Sequence, residues 1–197
     1  MSKIDKLFDI SGRVAVLTGG GGVICGTMSR ELAARGAKVA VLDLAQDAAE
    51  ACAAAIRDAG GEALAVACNV LERDSVVAAA AAVEEQLGPV DILINGAGGN
   101  KPQATAMGDL TFFDLPAEAV RWVIDLNLMG TILPSQVFGQ RMAERREGVI
   151  VNISSMSSTR ALTRVIGYSV AKAGIDCLTR WLAVHLAQEY APEIRVN

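Results

Sequence analysis

RVAVLTGGGGVICG, residues 13–26, decides the fold of this chain. Arg13 to Thr18 is an aliphatic run without polar alternation, as a strand covered on both faces requires. Four consecutive glycines follow, and then a segment of helical period through Met28, Leu32 and Ala33. Working outward, similar runs recur at 38–43 (KVAVLD), 62–68 (EALAVAC), 90–94 (VDILI), 148–154 (GVIVNIS) and 193–197 (EIRVN). Between them lie segments of helical period: an Ala-rich one to about Ala59, then 75–87, about 120–145 and 168–189. Repeated β-α-β with short links implies parallel strands joined by right-handed crossovers. The expected fold class is therefore α/β, a doubly wound parallel sheet in three layers, α/β/α. No linker, charge block or longer repeat interrupts the pattern, which predicts a single domain. The stretch from Gly98 to Pro116 is too long for an ordinary βα connection, and loops of that length usually serve function or are disordered.

Composition narrows the classes of function. Hydrophobic residues make up 52% of the 197 and aromatic residues 4%, so Ala, Val, Ile and Leu must fill the core. A net charge of −4 gives no reason to expect a nucleic-acid partner. No run approaches a membrane span, and MSKIDKLFDISGR has no apolar region of the kind a secretory signal carries. Cys25, Cys52, Cys68 and Cys177 are scattered, which fits reduced thiols in a cytoplasmic protein. The sole histidine, His185, sits in a helical run and reads as structural. No metal site is expected.

The glycines after the first strand let a backbone approach a pyrophosphate, and the following helix offers free N–H groups at its positive end. Glycines also serve plain tight turns, but a strand before and a helix after favour dinucleotide binding. Asp43 ends the second strand. Its carboxylate can accept both ribose hydroxyls of NAD and repels the 2′-phosphate of NADP, although an Asp at this point can also cap the next helix. Tyr168 and Lys172 stand four apart and share one helix face. Ser155 follows the fifth strand, at the carboxyl edge where ligands of such sheets sit. A free phenol has a pKa of about 10, and a nearby ammonium favours its ionised form. Tyr and Lys at this spacing also occur by chance.

Taken together, the motifs resemble the short-chain dehydrogenase/reductase family over essentially the whole chain. TGGGGVICG resembles the family's TGxxxGxG and NGAG (residues 95–98) its NNAG, while Asn127 sits where the family has an active-site asparagine. Ser155, Tyr168 and Lys172 match its catalytic serine and YxxxK. The resemblance implies a Rossmann fold and ordered catalysis with NAD bound first. In it, Tyr168 is the general acid/base and Lys172 lowers the Tyr168 pKa while binding the nicotinamide ribose. Ser155 holds the substrate oxygen, and Asn127 anchors a water that relays protons to Lys172. The implied cofactor contacts are Gly19, Gly22, Val23, Ile24, Asp43, Asn69, Val70, Asn95, Gly96, Ala97, Tyr168 and Lys172. Three positions depart from the pattern. Val23 and Cys25 stand where the family usually has glycine, and Asn69 replaces the commoner Asp near the adenine.

At a finer grain, TGGGGVICGTMSRELA, INGAGGN and NISSMSSTRALTRVIGYS are similar to the family's D-mannonate oxidoreductase (fructuronate reductase) branch. That implies a sugar-acid substrate, whose carboxylate needs a cation and whose oxygens need amides or hydroxyls. Asn100, Lys101, Met156 and Arg160 are the candidate substrate residues, with Arg164 near them; surface arginines are more often simply solvated. Three alternatives stand beside this reading: a polyol or gluconate dehydrogenase, a 3-oxoacyl reductase, and a truncated relative that only binds NAD. The last arises because residues 1–197 stop before the lid and last strand usual in the family. Members pair their long helices between subunits, which implies a homodimer or homotetramer.

Overall fold

The computed structural model describes residues 8–197. The expectation about the N-terminal leader falls largely on residues 1–7, which lie outside the described part. Six strands alternate with helices: β1 (Val14–Thr18), α1 (Val23–Ala34), β2 (Lys38–Asp43), α2 (Gln46–Asp58), β3 (Glu62–Ala67), α3 (Arg73–Leu87) and β4 (Val90–Asn95). There follow α4 (Ala117–Ile124), α5 (Gly130–Arg145), β5 (Gly148–Asn152), α6 (Ile166–Glu189) and β6 (Ile194–Val196). All pairings are parallel, in the order β3-β2-β1-β4-β5-β6. This is the expected doubly wound sheet.

Alternate residues of each strand serve two cores. Val14, Val16, Ala40, Leu42, Leu93 and Ile150 pack against α3, α5 and α6 through Val76, Phe138, Met142 and Leu186. Ala15, Leu17, Val39, Val41 and Ile94 pack against α1 and α2 through Cys25, Ala33, Cys52 and Ile56. Both faces of the sheet are thus covered, which is why the strands read as unbroken aliphatic runs.

After β3 the chain crosses back to the other side of β1. The order therefore reverses between β1 and β4, the point where open α/β sheets leave a crevice. Thr18 closes the floor of that crevice. Its Oγ1 accepts hydrogen bonds from the N–H groups of Gly96 and Ala97 at 3.1 and 3.2 Å.

Two elements differ from expectation. The helix expected over about 120–145 is broken by a π turn, Asp125–Met129, between α4 and α5. Pro134, one turn into α5, has no N–H for the α-helical ladder, and Asn127 substitutes side-chain bonds within the π turn. The fifth strand stops at Asn152, so Ser154 and Ser155 lie in the loop beyond it. The stretch from Gly98 to Pro116 contains two short 3-10 turns, Pro102–Ala104 and Phe112–Asp114. No helix among the described residues is long and apolar enough to cross a membrane.

Candidate active site

The crevice above β1 and β4 opens into a groove of about 540 Å³. Nine of the twelve residues expected to hold the cofactor line it: Gly19, Gly22, Val23, Ile24, Asp43, Asn69, Val70, Gly96 and Ala97. Glycine is required at two of its turns. Gly19 has φ +64°, and a Cβ there would lie 2.9 Å from the Ala97 Cα. A Cβ on Gly98 would lie 2.5 Å from Asn127 Oδ1. The glycine loop runs into α1 with Gly22 at its N-cap and no capping side chain, so the first N–H groups of the helix face the groove. A diphosphate fits this loop on stereochemical grounds.

The departures from the family pattern now have positions. The Val23 side chain is 88% exposed, so it stands out from the loop without filling the floor. Cys25 is buried and lies against Gly96, where a Cβ would meet the Cys25 Sγ at 2.0 Å. Burial pushes the Cys25 thiol up, with Lys172 offsetting that in part and Asp43 adding to it. The Asn69 side chain is engaged in its own turn, its Nδ2 donating to Glu72 at 2.9 Å and its Oδ1 accepting from the Leu71 N–H at 3.1 Å.

Asp43 does not cap α2, whose N-cap is Ala45. One carboxylate oxygen accepts from the Gly21 N–H at 3.0 Å and the other from the Ala45 N–H at 3.1 Å. The carboxylate thereby ties the glycine loop to the end of β2 and keeps lone pairs on the groove side. Asn95 is placed differently from the other expected cofactor residues. Its side chain is buried beneath the crevice, donating to Ser135 Oγ at 2.9 Å and Asn152 Oδ1 at 2.8 Å.

The groove's far end reaches the catalytic candidates through Gly98, which lies against Asn127 and 3.7 Å, measured from its notional Cβ, from Lys172 Nζ. Asn127 is fully buried, and its amide donates to Gly99 O at 2.7 Å and Val123 O at 2.8 Å while its Oδ1 accepts from Gly99 N–H at 3.2 Å. The π turn therefore pins the loop that begins the long connection. Lys172 is only 5% exposed, and its Nζ donates to the Ile153 carbonyl at 2.7 Å and stands 5.4 Å from the Tyr168 ring centroid. Burial pushes the Lys172 amine below its ordinary value, with Cys25 and Asp176 pulling it back up. The Tyr168 ring packs on Ala104, Ala119 and Val123, so α4 and the first 3-10 turn fix its direction. Ser155 caps the 3-10 turn Met156–Ser158, its Oγ accepting from the Ser157 N–H at 3.2 Å and bonded to Ser157 Oγ at 3.1 Å. That turn packs against α6.

The substrate candidates are less organised. Asn100 Nδ2 donates to Thr105 Oγ1 at 2.8 Å, and Lys101 Nζ lies 4.5 Å above the Trp122 ring. Met156 and Arg160 are exposed, as is Arg164, which adopts φ +77°. Sequence reasoning missed Trp122 and Leu126, which also line the groove. Their only signal was an aromatic and a leucine four apart on the helix leading to Asn127.

The sequence profile of the short-chain dehydrogenase family matches residues 13–197. The uncharacterized oxidoreductase UxuB of Bacillus subtilis is 43% identical over 96% of this chain and 70% of its own length. D-threitol dehydrogenase of Mycolicibacterium smegmatis is 34% identical over 98% of this chain and 71% of its own. A crystal structure from Haemophilus influenzae with bound NAD, provisionally described as a D-mannonate oxidoreductase, superposes with a TM-score of 0.90. It is 39% identical, across 96% of this chain and 70% of that one. With the family profile matched over residues 13–197 and relatives of 34–43% identity covering nearly all of it, the chain belongs to the short-chain dehydrogenase family and is an oxidoreductase.

Proposed function

We propose that this oxidoreductase uses NAD to interconvert a secondary alcohol and a ketone, with a sugar acid of the D-mannonate/D-fructuronate kind as substrate. The observation that supports the reading is buried Lys172, 5.4 Å from the Tyr168 ring centroid and close to Gly98, a lining residue of the glycine-rich groove. When bound, NAD accepts or supplies the hydride. Gly19, Gly22 and the start of α1 would hold its diphosphate, and Asp43 a ribose. Tyr168 takes the alcohol proton during oxidation and returns it to the oxygen during reduction. Lys172, a cation held by Ile153 O beside the ring, favours the phenolate that this step requires. Ser155 donates to the substrate oxygen and holds it in place. Asn127 anchors a water on the route to Lys172.

A small hydroxylated acid as substrate, residues 1–197 as one NAD(P)-binding domain and a cytoplasmic location complete the reading; buried free Cys25, Cys52 and Cys68 accord with reducing surroundings. Subunits would pair as a homodimer or homotetramer through the apolar face of α5 and α6. A second reading, a polyol dehydrogenase, is favoured by one feature. Lys101 is engaged with Trp122 while Arg160 and Arg164 are exposed, so none of these three candidate cations is held by a contact at Ser155.

NADH oxidation against fructuronate, tagaturonate, 5-ketogluconate and an acetoacetyl thioester, and NAD reduction with D-threitol, separate the readings. Fructuronate turning over no better than the thioester would end the sugar-acid assignment. Tyr168→Phe should lower kcat by at least about a hundredfold and leave NAD affinity within about twofold. Retained activity in that variant would remove Tyr168 from the proton step.

A further inference from the structure

β5 ends at Asn152, and one further backbone bond ties the chain beyond it to β4, the Ile153 N–H donating to the Asn95 carbonyl at 3.0 Å. The Ile153 carbonyl is the acceptor that Lys172 Nζ meets at 2.7 Å. A lysine ammonium rides on a flexible four-carbon stem, so its place depends on the acceptor it finds. Whatever fixes the Ile153 carbonyl relative to α6 therefore fixes the ammonium.

The half-buried Asn152 side chain is engaged at both ends. Its Oδ1 accepts from Asn95 Nδ2 on β4 at 2.8 Å, and its Nδ2 donates to Thr179 Oγ1 on α6 at 2.9 Å. The direction of these bonds is forced. Thr179 spends its one hydroxyl proton on the Ile175 carbonyl a turn back, at 2.8 Å, so toward Asn152 its oxygen can only accept. Asn152 must then present its amino group to α6 and its oxygen to Asn95. Asn95 gives its other amide hydrogen to Ser135 Oγ at 2.9 Å, and Ser135 spends its own proton on the Thr131 carbonyl at 2.7 Å. Thr131 Oγ1 donates to the Asn127 carbonyl at 2.8 Å. One line of hydrogen bonds thus runs from the π turn through α5, β4 and β5 to α6. At its α6 end, Thr179 lies seven residues beyond Lys172, close to two turns, so both side chains leave one face of the helix. Two anchors about 10 Å apart along a helix axis hold it against both sliding and turning, which a single anchor does not.

We infer that Asn152 is a positioning residue of this site, its side-chain amide clamping Thr179 of α6 to Asn95 of β4 and so setting where the Ile153 carbonyl holds Lys172. The inference rests on the reading of Lys172 as a catalytic group, but its test needs no substrate. The full chain is acetylated with limiting acetic anhydride, and mass spectrometry gives the rate at Lys172 relative to Lys38, which lies at the opposite end of the sheet and corrects for any general loosening. Thr179→Val keeps the shape and removes the acceptor; it should raise the relative rate at Lys172 about tenfold and quicken hydrogen exchange of the Ile153 amide by a similar factor. Thr179→Ser returns the oxygen and should restore both to within about twofold of wild type. Asn152→Ala should give the same rise, and the Asn152→Ala, Thr179→Val double variant no larger one, because the two act through a single bond. Should Asn152→Ala fail to fold, the Val and Ser variants at Thr179 decide the matter by themselves. An unmoved Lys172 rate in Thr179→Val, a Ser variant that behaves like Val, or a double variant whose effect is the product of the two singles would overturn the inference. NAD-linked turnover surviving in Lys172→Met would instead overturn the catalytic reading, so the two failures are told apart.

Discussion

Single residues decide both what the groove accepts and how tightly its loops meet. Asp43 is fixed by two backbone N–H groups yet lines the groove, where on the proposed reading its charge would meet a ribose of NAD. A carboxylate so placed repels a 2′-phosphate, and Asp43→Ala should narrow the preference for NAD over NADP by about tenfold in kcat/KM, about 1.4 kcal/mol. An unchanged ratio of the two cofactors in steady-state assays would remove Asp43 from the ribose site. Cys25 makes a second case. It fills the space against Gly96 that a family glycine would leave open, and a Cβ on Gly96 would meet its sulfur at 2.0 Å but its Cβ at 3.7 Å. Gly96→Ala should therefore cost about 1–3 kcal/mol in urea unfolding. In a Cys25→Ala background most of that cost should vanish, leaving the tight approach to Thr18 O at 3.1 Å. Equal costs in both backgrounds would show that the sulfur is not the obstacle.

At the level of elements, what could be read from the sequence was whatever the period of apolar residues encodes. The runs at 14–18, 38–43 and 90–95 are strands because both faces of each are buried, and that pattern is local. The π turn at Asp125–Met129 was not legible from Pro134 alone, because Asn127 at its centre also bonds a distant part of the chain, Gly99 in the loop after β4. For the same reason Asn127 could be placed in the site only through a family motif. Trp122 and Leu126, which line the groove, went unnoticed because an aromatic and a leucine on a helix read as core. Asn127→Leu should test the element's dependence on this side chain. It leaves the buried Val123 carbonyl and the half-buried Gly99 N–H and O without their partner, a loss of about 1–3 kcal/mol. Denaturant unfolding should show that loss, and hydrogen exchange at Gly99 should quicken. Wild-type stability in the variant would mean that water replaces the amide.

For the molecule as a whole, the remaining question is what covers the outer face of α5 and α6. A groove of about 650 Å³ runs between them, lined by Leu178, Trp181, Leu182, His185 and Tyr190 on the α6 side. Trp181 is 58% exposed although it stacks on His185 at 4.6 Å between ring centroids, and Val184 beside it is exposed as well. Exposed apolar side chains gathered along one long helix are unusual on the free surface of a monomer and are normal at a subunit contact. A twofold axis would set this face against its own copy, since the same patch then serves both subunits. The face proposed as catalytic lies elsewhere, with Tyr168 packed against α4 and Lys172 bonded to the loop after β5. Charging the patch should therefore separate assembly from chemistry. Trp181→Glu places a carboxylate where a like carboxylate of the second copy would oppose it, and burying the pair unpaired costs several kcal/mol. Sedimentation of the wild-type chain at micromolar concentration should show a dimer or tetramer, and the variant should sediment as a monomer that still binds NADH. A wild-type chain that sediments only as a monomer, or a variant that assembles as the wild type does, would require another explanation for the exposed tryptophan.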